Sequence, residues 1–140
     1  FVECQDDAAL LFPVHPNPAV VGQATAILSG HARIHLLPPL DYESFIILMS
    51  QAWLIVSDSG GVQEEAPTLG KPLLILRENT ERPVTVAEGT NRIVGQDPAR
   101  LMAAVRDTLA GNTKAKRVPR LWDGHSAERI IDILLRFNSR

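Results

Sequence analysis

The chain of 140 residues has the size and composition of one ordinary globular domain. Hydrophobic residues make up 45% of the sequence, charged residues make up 21%, and the formal net charge is -2. This balance gives no electrostatic reason to expect nucleic acid or a membrane as a partner, and no apolar stretch approaches the roughly 20 residues of a membrane span. The single cysteine, Cys4, excludes an internal disulfide and fits a reducing, cytoplasmic compartment.

The chain begins at Phe1 and not at a methionine, and it shows no signal-peptide pattern. We therefore expect a fragment, a trimmed piece of a longer protein, or a gene product that lacks its start. One cluster of basic residues is expected to form a solvated surface and not a binding patch. Its members are Lys114, Lys116, Arg117 and Arg120.

Strand and helix signals alternate along the chain. Short apolar runs predict strands at residues 10–14, 33–37, 53–57, 73–76 and 92–94. Capping residues followed by helical periodicity predict helices at about residues 18–28, 41–49, 60–69, 84–88, 97–109 and 126–136. Apolar strands that are joined through helices predict an α/β fold, in which helices cover both faces of a parallel sheet.

The most informative segment is SDSGGVQEEA, residues 57–66, which ends an apolar strand and opens a short helix. Ser59, Gly60 and Gly61 would expose backbone N–H groups at the positive end of that helix, an arrangement that suits a phosphate or a diphosphate. One turn later, Glu64 or Glu65 could accept hydrogen bonds from sugar hydroxyls. The residues alone also fit a simpler interpretation, in which Ser59 caps the helix and the glutamates complement its dipole.

Three polar segments follow predicted strands, at residues 14–18, 58–61 and 78–82. In open parallel sheets, ligands bind beyond the carboxyl ends of the strands. We therefore expect the three segments to contribute to one common site.

Four segments resemble the C-terminal half of the non-hydrolysing UDP-N-acetylglucosamine 2-epimerases. They are VHPNP (14–18), SDSGGVQEEAPTLGKPLLILR (57–77), TERP (80–83) and AEGTNRIVG (87–95). The resemblance covers almost the whole chain and fades after about residue 111. It implies a GT-B protein with two Rossmann-like halves, of which residues 1–140 would be one incomplete nucleotide-sugar-binding domain without its first strand.

The resemblance implies that Ser59, Gly60 and Gly61 bind the diphosphate of UDP. It also implies that Glu65 holds the ribose hydroxyls, and that Arg82 faces the sugar or the phosphates.

Three further residues gain roles in the same way. Phe45 would lie against the uracil, His15 would lie near the sugar as a catalytic residue, and His35 matches a position that contacts a regulatory UDP-sugar in some members. Without the resemblance, Phe45 and His35 are more simply interpreted as packed side chains of a helix and a strand.

The activity that the resemblance implies is inversion at C2 of UDP-GlcNAc to give UDP-ManNAc, by elimination and re-addition of UDP. This chemistry needs no metal, nicotinamide or other cofactor. The missing half of the family carries several acid/base carboxylates. We therefore expect these 140 residues to bind UDP or UDP-GlcNAc, and to need an N-terminal domain or a partner chain for activity. A homo-oligomer is compatible with the sequence.

Two other functions remain open: the donor-binding half of a split GT-B glycosyltransferase, and a non-catalytic nucleotide-sugar-binding module. The unbroken SDSGGVQEEAP run favours the epimerase over the transferase.

The missing first strand has a consequence for the sheet. In the strand order 3-2-1-4-5-6 that strand is central, so the strands at residues 10–14 and 53–57 would each keep an unpaired edge. We expect these two strands to pair directly; pairing with a second copy, or with the missing strand, are the alternatives.

Overall fold

The computed structural model of the chain describes residues 1–113 and 118–138, apart from the side chains of Cys4 and Asn138. Three members of the basic cluster, Lys114, Lys116 and Arg117, lie outside the described residues, whereas Arg120 is exposed. The chain divides into two compact units, Phe1–Leu48 and Met49–Arg140.

The first unit is built around two parallel strands, in which Leu10 lies opposite Ile34 and Leu11 lies opposite His35. A 3-10 turn at Val2–Cys4 precedes them. The helix between the strands begins where the sequence predicts, because the Asn17 side chain accepts the Ala19 N–H at 3.0 Å and proline occupies the first helical position. The elements are β1 (Leu10–Pro13), α1 (Pro18–Leu28), β2 (Ile34–Leu37) and the greater part of α2 (Tyr42–Gln51).

The second unit contains a parallel sheet in the order β3-β4-β5, with β4 at its centre. The three residues of β4 are fully buried and form the core of this unit together with Ala66 and Ala104. The elements are β3 (Ile55–Ser57), α3 (Gly60–Thr68), β4 (Leu73–Ile75), α4 (Pro83–Ala87), β5 (Asn91–Ile93), α5 (Pro98–Leu109) and α6 (Ser126–Asn138).

The predicted fold class is confirmed: the strands are parallel, and helices flank them. Every strand and helix that the sequence predicts is present, with bounds within about two residues of those expected. None of the helices among the described residues has the length and the apolar character to cross a bilayer.

The predicted direct pairing of the strands at residues 10–14 and 53–57 is wrong. Here β1 pairs with β2, β3 pairs with β4, and the two pairs belong to different sheets. The prediction rested on the cost of unpaired backbone groups at a strand edge. That cost is small where water can satisfy the groups, so it does not dictate pairing within one chain.

Candidate functional site

Ser59, Gly60 and Gly61, here called the glycine turn, join β3 to α3. Ser59 is the N-cap residue of α3, and its carbonyl accepts the N–H of Gln63 at 3.3 Å. Its hydroxyl makes no capping hydrogen bond, and its own N–H donates to the hydroxyl of Ser57 at 3.1 Å. The side chain of Ser59 is therefore not used as a cap, in contrast to the simpler interpretation of the sequence.

The packing of the described residues does not require the two glycines of the turn. Neither has a positive φ. A Cβ on Gly60 would lie 3.7 Å from Cζ of Arg82, and a Cβ on Gly61 would lie 3.9 Å from Oγ of Ser59, both ordinary contacts. Since glycine in a helix costs about 1 kcal/mol relative to alanine, close approach of another molecule to the backbone would account for both residues.

The guanidinium of Arg82 lies beside the glycine turn and is held by two carboxylates. Its Nε donates to Oε1 of Glu64 at 2.5 Å, and one Nη donates to Oε2 of Glu81 at 2.9 Å. The hydrogen bond to Glu64, and then the attraction of its charge, raise the pKa of Arg82. The guanidinium of Arg82, paired with these two carboxylates, thus lies beside the start of α3.

The backbone of Arg82 is held by two threonine hydroxyls. The Arg82 N–H donates to Oγ1 of Thr80 at 2.9 Å, and the Arg82 carbonyl accepts from Oγ1 of Thr85 at 2.8 Å. The Thr80 hydroxyl in turn donates to Oε1 of Gln63, whose side chain is buried on α3. These hydrogen bonds connect the backbone of Arg82 to α3, the helix that carries the glycine turn.

A second connection between the same helix and Arg82 passes through Asn91. Pro67 lies inside α3 and has no N–H, so the carbonyl of Gln63, four residues earlier, lacks its helical partner. The buried Asn91 amide donates to that carbonyl at 2.8 Å and to Oγ1 of Thr85 at 2.9 Å.

The two glutamates of α3 differ in their surroundings. The carboxylate of Glu64 binds Arg82. The backbone carbonyl of Glu64 accepts a hydrogen bond from the indole Nε1 of Trp122 at 3.2 Å. Glu65 is half-buried on the same helix, one turn after the glycine turn. The contact of Glu65 with the ribose stays a prediction.

The other predicted site residues lie in the first unit. His15 is exposed after the end of β1, where its Nδ1 accepts the N–H of Asn17 at 3.2 Å; the neutral ring therefore carries its proton on Nε2. His35 is exposed within β2, and Phe45 is half-buried on α2.

The structure brings Arg82 and the glycine turn together, as expected for the segments at residues 58–61 and 78–82. The contribution of the segment at residues 14–18 to the same site stays a prediction. Sequence reasoning missed four polar residues around Arg82, although Pro67 within a predicted helix signalled a carbonyl in need of a donor. The four are Gln63, Thr80, Thr85 and Asn91.

A cavity of about 350 Å³ opens beyond the carboxyl ends of the three strands of the second unit. It is lined by Asp58, Leu76, Gln96, Pro98 and Leu101. Within residues 1–113 and 118–138, no three histidine, cysteine, aspartate or glutamate side chains are grouped so as to hold a metal ion.

A family model described as UDP-N-acetylglucosamine 2-epimerase matches residues 2–135. The chain belongs to this family. It is 43% identical over 129 residues to the UDP-N-acetylglucosamine 2-epimerase of Salmonella typhimurium, an alignment that covers 89% of this chain and 34% of that protein. It is 41% identical over 132 residues to the enzyme of Escherichia coli strain K12, with coverage of 91% and 35%. The chain thus spans about a third of the length of these curated relatives.

Solved structures of the family have the same fold. A structure of S. aureus MnaA with UDP matches with a TM-score of 0.88 and 34% identity, covering 99% of this chain and 38% of that one. The UDP-GlcNAc 2-epimerase of Neisseria meningitidis, bound to UDP-GlcNAc, matches with a TM-score of 0.83 and 33% identity, covering 96% and 38%. The described chain is therefore part of a Rossmann-like domain of the GT-B type.

Proposed function

We propose that this chain is the UDP-binding part of a UDP-GlcNAc 2-epimerase and that its glycine turn holds the diphosphate. One observation carries the proposal: the helix start is open to close approach at Gly60 and Gly61, with the guanidinium of Arg82 beside it. Backbone donors, a helix dipole and a guanidinium held in place suit a diphosphate. Relatives that bind UDP and UDP-GlcNAc support the nucleotide sugar as the ligand.

The reaction that we propose for the complete protein interconverts UDP-GlcNAc and UDP-ManNAc. A base removes the C2 proton while the C1–O bond breaks and its electron pair leaves with UDP. UDP then adds back to C1, and a proton is delivered to the opposite face of C2. The glycine turn and Arg82 would stabilise the charge gained by the leaving diphosphate and would retain UDP between the two steps.

The remaining assignments are also proposals. Glu65 would accept hydrogen bonds from the ribose, Phe45 would contact the uracil, and His15 would share in the proton transfers. His35 would contact a regulatory UDP-sugar. Residues 1–140 would form one incomplete domain of a cytoplasmic enzyme that works with an N-terminal domain or partner chain.

A nucleotide-sugar-binding module without catalysis stays open as the alternative. A module and an enzyme part would use the glycine turn in the same way.

The test is calorimetric titration of the 140-residue chain and its Gly61→Ala variant with UDP and with uridine. We expect the alanine methyl to block the approach of the diphosphate and to weaken UDP binding by about tenfold or more, because charge-assisted hydrogen bonds are lost. Uridine, which has no phosphate, should bind both proteins equally.

The matched control is Gly22→Ala in α1, where a Cβ would meet no atom of the described residues within 4 Å. Each substitution should leave the fold intact and raise the free energy of unfolding by up to about 1 kcal/mol. Absence of UDP binding by the unmodified chain at millimolar ligand, or equal UDP affinity of the Gly61→Ala variant, would show that the assignment is wrong.

A further inference from the structure

We infer that Gln63 and Thr80 are positioning residues, which hold Arg82 against the glycine turn so that its guanidinium is ready for the diphosphate. The inference rests on the proposed function, because it concerns how that same site is kept in order. No contact of either side chain with the ligand is required.

Gln63 is the point at which two connections to Arg82 meet. Its side-chain Oε1 accepts from Thr80, which holds the Arg82 N–H, and its backbone carbonyl accepts from Asn91, which holds Thr85 and through it the Arg82 carbonyl. Only 1% of Gln63 is exposed. These hydrogen bonds hold Gln63 and the residues bound to it in a fixed arrangement, because moving Gln63 would leave buried polar groups without partners.

The position of Gln63 on α3 explains why its fixed arrangement matters for the glycine turn. Gln63 lies on the first turn of α3, and its own N–H donates to the Ser59 carbonyl at 3.3 Å. One buried residue therefore ties the glycine turn to both ends of the Arg82 backbone.

The side chain of Arg82 is fixed separately by Glu64, through the 2.5 Å hydrogen bond to its Nε. Backbone and side chain are thus both held from α3. Long arginine side chains otherwise lose much rotamer freedom on binding an anion, so holding Arg82 in place beforehand should increase affinity.

The test uses the pair Thr80→Val and Thr80→Ser in the 140-residue chain. Valine has the shape of threonine but has no hydroxyl, whereas serine keeps the hydroxyl. We expect Thr80→Val to raise the Kd for UDP about fivefold, the effect of losing ordinary hydrogen bonds. Thr80→Ser should stay within about twofold of the unmodified chain.

Thr108→Val is the matched control for the loss of a buried hydroxyl. Thr108 donates to the Ala104 carbonyl at 2.8 Å within α5, whereas the hydrogen bonds described above for Arg82 involve other residues. Both valine variants should lower the thermal stability, but only Thr80→Val should weaken UDP binding.

A double-variant cycle with Arg82→Ala separates positioning from a general effect on the fold. Without the Arg82 side chain, Thr80→Val should cause no further loss of UDP affinity. An equal loss in both backgrounds, or unchanged UDP binding by Thr80→Val alone, would overturn the inference.

If Thr80→Val does not fold, Thr80→Ala gives the same test, because alanine also lacks the hydroxyl that holds the Arg82 N–H. We expect a loss of UDP affinity for Thr80→Ala and not for Thr80→Ser, and equal UDP affinity of these two variants would contradict the inference. Failure of the unmodified chain to bind UDP would instead contradict the proposed function.

Discussion

Pro67 lies inside α3, where its ring nitrogen cannot donate to the carbonyl of Gln63. The side chain of Asn91 supplies the missing donor, although it lies 28 residues away from Gln63 in sequence. The same amide also binds Thr85, and its Oδ1 is the one buried side-chain N or O atom without a partner among the described residues. Asn91 therefore supplies the hydrogen-bond donor that Pro67 lacks, while its own Oδ1 stays without a partner among the described residues.

This relation predicts that Pro67 and Asn91 are energetically coupled. Asn91→Ala should lower the free energy of unfolding by about 2 kcal/mol, because it leaves the Gln63 carbonyl buried without a donor. In a Pro67→Ala background the alanine N–H can donate to that carbonyl, so the same change should cost about 1 kcal/mol less.

Urea unfolding of the four proteins in this cycle measures the coupling. Losses of packing at each site cancel in the double difference. Strictly additive effects of the two substitutions would show that Asn91 does not replace the helical donor.

At the scale of elements, the start of α6 depends on Asp123. Its carboxylate accepts from Nη1 of Arg129 at 2.8 Å and from the N–H of His125 at 3.1 Å. The hydrogen bond from Arg129, followed by that from His125, lowers the pKa of Asp123 well below its usual range. This lowered pKa means that the ionised form stabilises the folded helix start.

The pH dependence follows from the direction of that shift. A lowered folded-state pKa gives stabilisation that is present above the usual aspartate pKa of about 3.9 and is lost as the pH falls through the lowered value. We expect the amide chemical shifts of the first turn of α6 to move toward unfolded values between about pH 4 and the strongly acidic range.

Asp123→Asn should show the low-pH chemical shifts already at neutral pH. Asp132→Asn, at an exposed position of the same helix, is the control and should keep the titration of the unmodified chain. A first turn of α6 that is unchanged by Asp123→Asn would contradict this role for the carboxylate.

The elements could be predicted from the sequence because their signals are local. Asn17 and Asp97 cap helices through donors two residues away, so their own segments contain the necessary information. The partners of Asn91 and Trp122 could not be predicted, because these hydrogen bonds depend on chain segments that tertiary structure brings together. For the candidate site, the glycine turn was recognisable as a strand-to-helix junction, but the hydrogen bonds that hold Arg82 were not.

At the scale of the molecule, the division into two units was not predictable from composition. The alternation of apolar residues identifies a strand but does not show which strand pairs with it. The prediction that the strands at residues 10–14 and 53–57 pair was based only on the free-energy cost of an unpaired strand edge.

The exposed face of α6 predicts how the whole chain behaves in solution. Its apolar side chains include Ile130, Leu134 and Phe137, which are 56%, 60% and 79% exposed and follow helical spacing. Burial of each such side chain would contribute about 2 kcal/mol, so we expect the 140-residue chain to self-associate through α6.

Sedimentation velocity tests this expectation with the double variant Ile130→Lys and Leu134→Lys, which should shift the chain toward the monomer. Ile27→Lys in α1 removes another exposed apolar side chain, 78% exposed, and should leave association unchanged. A monomer already in the unmodified chain would show that α6 does not drive association.

The hydrogen bond from the Trp122 indole to the Glu64 carbonyl makes that tryptophan an optical reporter of α3. The chain has two tryptophans, and Trp53 is 52% exposed. A Trp53→Phe chain would therefore emit from Trp122 alone, and its fluorescence would follow the attachment of the segment before α6 to the helix that carries the glycine turn. Release of that segment would shift the emission to longer wavelength as the indole exchanges the carbonyl for water.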